Sequence, residues 1–418
     1  MKIKNAYFVG GLSSFYFDDQ QAIKDGAGLD GFTYQGAAVT SGFQAIRQAG
    51  ECVSVMLELD DGSIALGDCA AVQYSGAAGR DPLFRADAFV PFMETHLRPL
   101  LTGMDVRRFD VNARYIDGLV IDGKPLHTAI RYGVSQALLD AAALARRCLK
   151  TEVICREYEL PVVAEAVPLF GQSGDDRYGA VDKMVLKKAD VLPHGLINNI
   201  PDKLGDQGGR LIEYVDWLVH RIRHLSQGND YRPDLHIDVY GTVGMIFNQD
   251  PTLIADYLAR LGDVAGELPL CIEGPVDAGG KGAQIEALGG IRQRLDALGA
   301  NIRIVADEWC NTYQDVVDFA DAQCCHMVQI KTPDLGSVHN VVDAVLHCNR
   351  RGVQAYQGGT CNETDISART CVHLALAARP MRMLVKPGMG FDEGMTVVGN
   401  EMHRSVALLK TRQHPERG

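Results

Sequence analysis

Apolar and polar positions follow two different rhythms along this chain, and the change falls near residue 160. Before it, an apolar-rich strand is predicted at about 3–9, followed by a polar, Gly-containing stretch. The segment ECVSVMLELDDGSIALGDC alternates on both sides of Asp60-Asp61-Gly62, which predicts a hairpin turning at Gly62. Helical spacing then runs over about 81–101 and about 126–150. The first third therefore reads as mixed α+β. After residue 160, short apolar runs alternate with amphipathic stretches. The runs lie at 162–171, 184–187 (MVLK), 235–241, 268–275, 302–309, 326–333, 353–360 and 381–388. Helices are expected between them at about 209–226, 251–264, 283–299, 313–322, 337–350 and 364–378. Eight strands joined by helices predict an α/β fold, a (β/α)8-type (TIM-like) barrel over 161–418 with a C-terminal tail, preceded by an α+β domain over 1–160. A doubly wound sheet competes, but its Gly-rich dinucleotide turn after the first strand is not found.

Composition narrows the function classes. The 418 residues carry 41 Lys+Arg against 53 Asp+Glu, a formal net charge of −12, so the basic surplus of a nucleic-acid binder is missing. No apolar run approaches the roughly 18 residues that span a bilayer. The start, MKIKNAYFVGGLSSFYFDDQQ, does not read as a secretion signal, and a cytoplasmic location is expected. The 11 cysteines are scattered with no C-x-x-C, which argues for free thiols packed as small apolar groups.

The chemistry is expected at the carboxyl ends of the barrel strands. Three consecutive runs end in acids: Asp238 in LHIDVYG, Glu273 in LCIEGP and Asp307 in RIVADEW. The next run ends in Lys331, in VQIKTP. Each acid taken alone could be tied to an arginine or a helix terminus. Three that converge repel one another, and a divalent cation relieves that cost. An all-oxygen set favours a hard ion such as Mg²⁺. Burial and a nearby dication both disfavour the lysine ammonium, which would bring Lys331 toward the range of a useful base. The chemistry this implies is removal of a proton next to a carboxylate, through an enediolate stabilised by the metal.

Longer blocks carry a resemblance. The segments SSFYFDDQQAIKDGAG, PLFGQSGDDRY, IEGPVDAG, IVADEWCNTYQDVVDF, CHMVQIKTPDLG and AYQGGTCNETDISARTCVHLALAARPMRML resemble the methylaspartate ammonia-lyase (3-methylaspartase) family of the enolase superfamily. The resemblance implies a capping N-terminal domain, a homodimer, and reversible elimination of ammonia from L-threo-3-methylaspartate to give mesaconate during glutamate degradation. It also implies Asp238, Glu273 and Asp307 as Mg²⁺ ligands and Lys331 as the base that takes the C3 proton. His194, in VLPHG, would face the opposite side of the substrate, and Gln172, Gln329, Thr360 and Cys361 would bind it. A monovalent cation such as K⁺ belongs to the same expectation.

Several positions rest on the residues themselves. Gln329 lies two residues before Lys331 and so faces the same side of its strand. Phe170, Tyr356 and Leu384, near the ends of strands one, seven and eight, could form an apolar wall for a methyl group or simply fill the barrel. Gln73, in the AAVQYSG loop, is a candidate contact closing over the site. His220 and His224 in HRIRH lack the Glu of a zinc helix, and GPVDAGGKG departs from a phosphate loop. The competing functions are another enolase-superfamily dehydratase or racemase, a Schiff-base aldolase using Lys331, and a metal-stabilised binding protein.

Overall fold

The computed structural model describes residues 1–77, 79–226 and 230–413. The N-terminal part is built on a three-stranded antiparallel sheet, with Arg47–Leu59 between Ile3–Asp18 and Ile64–Cys69. The predicted alternation sets its faces: Val53, Val55, Leu57 and Leu59 are fully buried, while Ser54, Met56 and Glu58 are partly exposed. The hairpin turns through Gly62, whose φ is +84°. The helix Thr128–Arg146 lies across this sheet. Gly133 permits the approach, because a Cβ there would fall 2.5 Å from the Cys69 backbone nitrogen.

Eight parallel strands close into a barrel: Leu169–Phe170, Val191–Leu196, Asp234–Asp238, Leu270–Glu273, Ile302–Ala306, Met327–Ile330, Gln354–Gln357 and Arg382–Leu384. Closure comes from the last strand pairing with the first, Met383 with Leu169 and Leu384 with Phe170. Phe170, Val191, Cys271, Val305, Met327, Tyr356 and Leu384 fill the inside as a cluster of their own. A larger apolar core runs continuously between the barrel helices and the N-terminal sheet. Every cysteine among the described residues is a free thiol, and no described helix is long and apolar enough to cross a membrane.

The structure moves some predicted elements. MVLK is not the second barrel strand. It belongs to the helix Gly179–Leu186, whose buried Ala180, Val181, Met184 and Val185 form one helical face, and the strand is Val191–Leu196. The first strand runs to Asp18 through the Gly10-Gly11 pair, because Gly10 gives room to Ala86 of the crossing helix: a Cβ would come within 2.9 Å of it. The helix expected at about 81–101 begins at Ala86 and is divided into Ala86–His96 and Arg98–Leu101. The expected C-terminal tail is instead the helix Phe391–Gln413, with 414–418 outside the described residues.

Candidate active site

Because the strands are parallel, their carboxyl ends converge at one mouth. Asp238 and Glu273 are register partners at the ends of the third and fourth strands, and both are buried. His194 sits in the second strand with φ +58°, a backbone turn that accompanies the register shift between Ile237 and Asp238 on the neighbouring strand. Its Nε2 lies 3.9 Å from Asp238 Oδ2 and 3.9 Å from Glu273 Oε2. One ligating atom from each of these three residues falls within 4.8 Å of the others. Asp307, expected as the third acid of the cluster, follows the fifth strand and forms an ion pair with Lys331.

The electrostatics show a site with too much negative charge for its own cations. Burial pushes the Asp238 and Glu273 carboxyls well above their ordinary range. The Asp307 charge pushes both further, and Asp238 raises Glu273 as well. Glu308 was not singled out from the sequence, yet its carboxyl is pushed up to about 8 by burial and by Asp307. Buried Glu273 Oε2, Asp307 Oδ1 and Glu308 Oε2 have no aligned hydrogen-bond donor. Crowded hard oxygens that outnumber the aligned donors around them suit a divalent cation, which supplies the missing positive charge. The residues present therefore fit Mg²⁺.

Lys331 is held between opposing influences. Burial opposes its ammonium form most strongly, but the charge and hydrogen bond of Asp307 together with the charge of Asp334 hold it above its ordinary value. The protein's own groups thus keep the amine charged unless Asp307 gives its charge to another cation. His194 goes the other way: burial lowers it to about 4, so the ring is neutral near pH 7.

A cavity of about 230 Å³ lies over these groups. It is lined by His194, Asp238, Asp307, Lys331 and Gln329, by Gln172, Thr360, Cys361 and Leu384, and by Gln73 from the N-terminal part. Gln329 Nε2 donates to Glu273 Oε1 at 2.7 Å. Gln172 Nε2 donates to the Gly388 carbonyl at 2.8 Å. Cys361 Sγ is 3.6 Å from Gln73 Oε1, and burial pushes the thiol up to about 12, which leaves it a neutral contact. Phe170 and Tyr356 do not line the cavity. Both are fully buried below it, where Phe170 stacks on the His236 ring with centroids 4.4 Å apart. Leu384 alone of the three apolar candidates reaches the space.

Besides Glu308, three further features escaped sequence reasoning. Arg80 lines the cavity and donates to Asp334 Oδ2 at 2.9 Å and to Asn311 Oδ1 at 3.0 Å. Asp18 takes two bonds from Arg47 and one from Gln73 Nε2, each at 2.7 Å, building the N-terminal wall. His236 and Arg382 lie buried beneath Glu273. His236 was within reach, since it precedes Asp238 by two residues and shares its face; Arg382, Arg80 and Asp18 carry no local signal.

Comparison with known proteins places this arrangement. Residues 1–159 match the family model for the methylaspartate ammonia-lyase N-terminus, and residues 161–411 match that for its C-terminus. The chain belongs to the methylaspartate ammonia-lyase family. Methylaspartate ammonia-lyase of Citrobacter amalonaticus is 66% identical over 412 residues, covering 99% of this chain and all of that protein. The enzyme of Clostridium tetanomorphum is 52% identical over 413 residues, covering 99% of this chain and 100% of the relative. The crystal structure of the Citrobacter amalonaticus enzyme containing (2S,3S)-3-methylaspartic acid superposes with a TM-score of 0.97 at 67% identity, covering 98% of this chain and 100% of that one. A magnesium complex of the Clostridium tetanomorphum β-methylaspartase gives 0.96 at 52% identity, with coverage of 99% and 100%. A muconate cycloisomerase of Pseudomonas fluorescens gives a TM-score of 0.58 at 17% identity over 90% of this chain and 84% of its own, which shares the fold alone. The closed eight-stranded parallel barrel is the (β/α)8-type fold predicted from the strand rhythm.

Proposed function

We propose that this methylaspartate ammonia-lyase family member eliminates ammonia from L-threo-3-methylaspartate to give mesaconate, reversibly and with Mg²⁺. The observation that carries this reading is one cavity into which Lys331, His194 and the carboxylates Asp238 and Asp307 all open, with Glu273 immediately beneath. Asp238, Glu273 and Asp307 would hold the metal. When bound, Mg²⁺ supplies Lewis-acid stabilisation of the negative charge that develops on the substrate carboxylate.

The remaining steps belong to the chain. Lys331, as the free amine, takes the proton from C3; the electron pair forms the C2–C3 double bond as the C2–N bond breaks, and ammonia leaves. His194, neutral and on the other side of the cavity, faces the opposite side of the substrate. The amides of Gln172 and Gln329 and the hydroxyl of Thr360 orient the carboxylates; Cys361 and Gln73 close over them, and Leu384 meets the methyl group. In this reading residues 1–160 cap the catalytic barrel of 161–418, K⁺ assists as a monovalent cation, and the enzyme works as a cytoplasmic homodimer.

The test follows ultraviolet absorbance of mesaconate on mixing the protein with 3-methylaspartate. Activity is expected with Mg²⁺, loss on chelation, recovery on adding Mg²⁺ back, and a rate at least about 10²-fold lower for Lys331→Ala. Mesaconate formed at full rate in chelator, or by Lys331→Ala, overturns the assignment. Borohydride trapping of substrate on Lys331 would favour the aldolase reading instead.

A further inference from the structure

Glu273 is approached from two sides, and the side that carries Gln329 and His194 belongs to the cavity. On the other side stands His236, wholly buried, with Nε2 2.8 Å from Glu273 Oε2. The contact is short but not aligned as a hydrogen bond, and neither atom has another hydrogen-bond partner. What settles the ring's proton is Arg382 on the last strand. Its Nη2 donates to Asp234 Oδ2 at 2.6 Å, and its Nη1 lies 3.3 Å from His236 Nδ1. A guanidinium has donors only, so Nδ1 must accept, and a neutral ring then carries its hydrogen on Nε2, the atom facing Glu273. The ring cannot easily turn away. Phe170 stacks on it at 4.4 Å with an interplanar angle of 18°, and Tyr356 meets its edge at 5.3 Å.

We propose that His236, its tautomer set by Arg382, is a positioning residue that holds Glu273 Oε2 for the metal, so that cation affinity depends on a donor at this place. The chain Asp234–Arg382–His236–Glu273 then runs from the foot of the barrel to its mouth. The inference rests on the Mg²⁺ reading above.

Two variants and one spectrum test it. Calorimetric titration of the metal-free protein with Mg²⁺ is expected to show His236→Phe, which keeps a ring between Phe170 and Tyr356, binding about 10–100-fold more weakly than wild type. His236→Gln restores an N–H donor and is expected to recover most of that affinity. A purely structural role would instead lower the melting temperature of both variants and leave their Mg²⁺ affinities alike. Nitrogen-15 shifts of histidine-labelled wild type should show the His236 hydrogen on Nε2, a reading that does not require either variant to fold. Wild-type affinity in folded His236→Phe, or a hydrogen on Nδ1, overturns the inference. Absence of Mg²⁺ binding by the wild type overturns the metal reading itself, and this inference with it.

Discussion

Single residues in this molecule owe their protonation to what surrounds them, and Asp19 shows the balance outside the catalytic cavity. Burial alone would push its carboxyl up. The Thr40 hydroxyl and the backbone N–H groups of Thr40, Val39 and Ala22 donate to it, and together they hold it below its ordinary value. In the unfolded chain the group titrates near about 3.9. The folded carboxylate therefore contributes stability that is complete above that value and is lost as pH falls through the lower, folded one. Urea unfolding of wild type and Asp19→Asn should differ by a constant amount above about pH 5 and converge below it. A gap unchanged down to pH 2 would refute this. At this scale the sequence was most informative where strand periodicity fixes direction: Asp238, Glu273 and Lys331 end short apolar runs. It was least informative about Lys331's charge, because Asp307 reaches that amine from a different strand.

Elements were legible when one period dominated and ambiguous when a run was short. MVLK has the apolar content of a strand but forms one face of the helix Gly179–Leu186. Val191–Leu196 was obscured by Pro193, a residue that ordinarily argues against a central strand. The glycines misled in another way. Gly10-Gly11 looked like a break in the first strand, yet the strand continues beneath a helix that needs the space. The same logic governs Gly133, where the helix Thr128–Arg146 meets the strand ending at Cys69. Gly133→Ala places a methyl group against backbone that cannot yield like a side-chain tip. A loss of about 1–3 kcal/mol is expected by chemical denaturation. An unchanged midpoint would mean that the helix shifts freely on the sheet.

At the scale of the whole molecule, the sheet half and the barrel are joined by polar groups that local sequence patterns do not announce. Lys386 and Glu363, both fully buried, pair at 2.8 Å beside the Gly358–Cys361 turn. Lys386 also donates to Thr332 Oγ1 at 2.9 Å, next to Lys331, and Tyr132 of the sheet-packing helix donates to Glu363 Oε2 at 2.9 Å. Glu363→Gln leaves the ammonium without its counter-charge. An unfolding free energy lower by about 3–5 kcal/mol is expected, and a loss below about 1 kcal/mol would show the pair to be dispensable. Tyr132 and Glu363 stand 231 positions apart in the chain, which is why composition and periodicity were silent about the link between the two halves.

The Gln73–Cys361 contact has a consequence for how such a chamber can change. Its facing walls are encoded in distant stretches, so a single replacement on one wall leaves the other as it was. Reshaping the cavity on both faces thus calls for paired changes, one on each side of the seam. Shuffling either half between relatives without its counterpart would leave a leaky vessel around an intact set of acids.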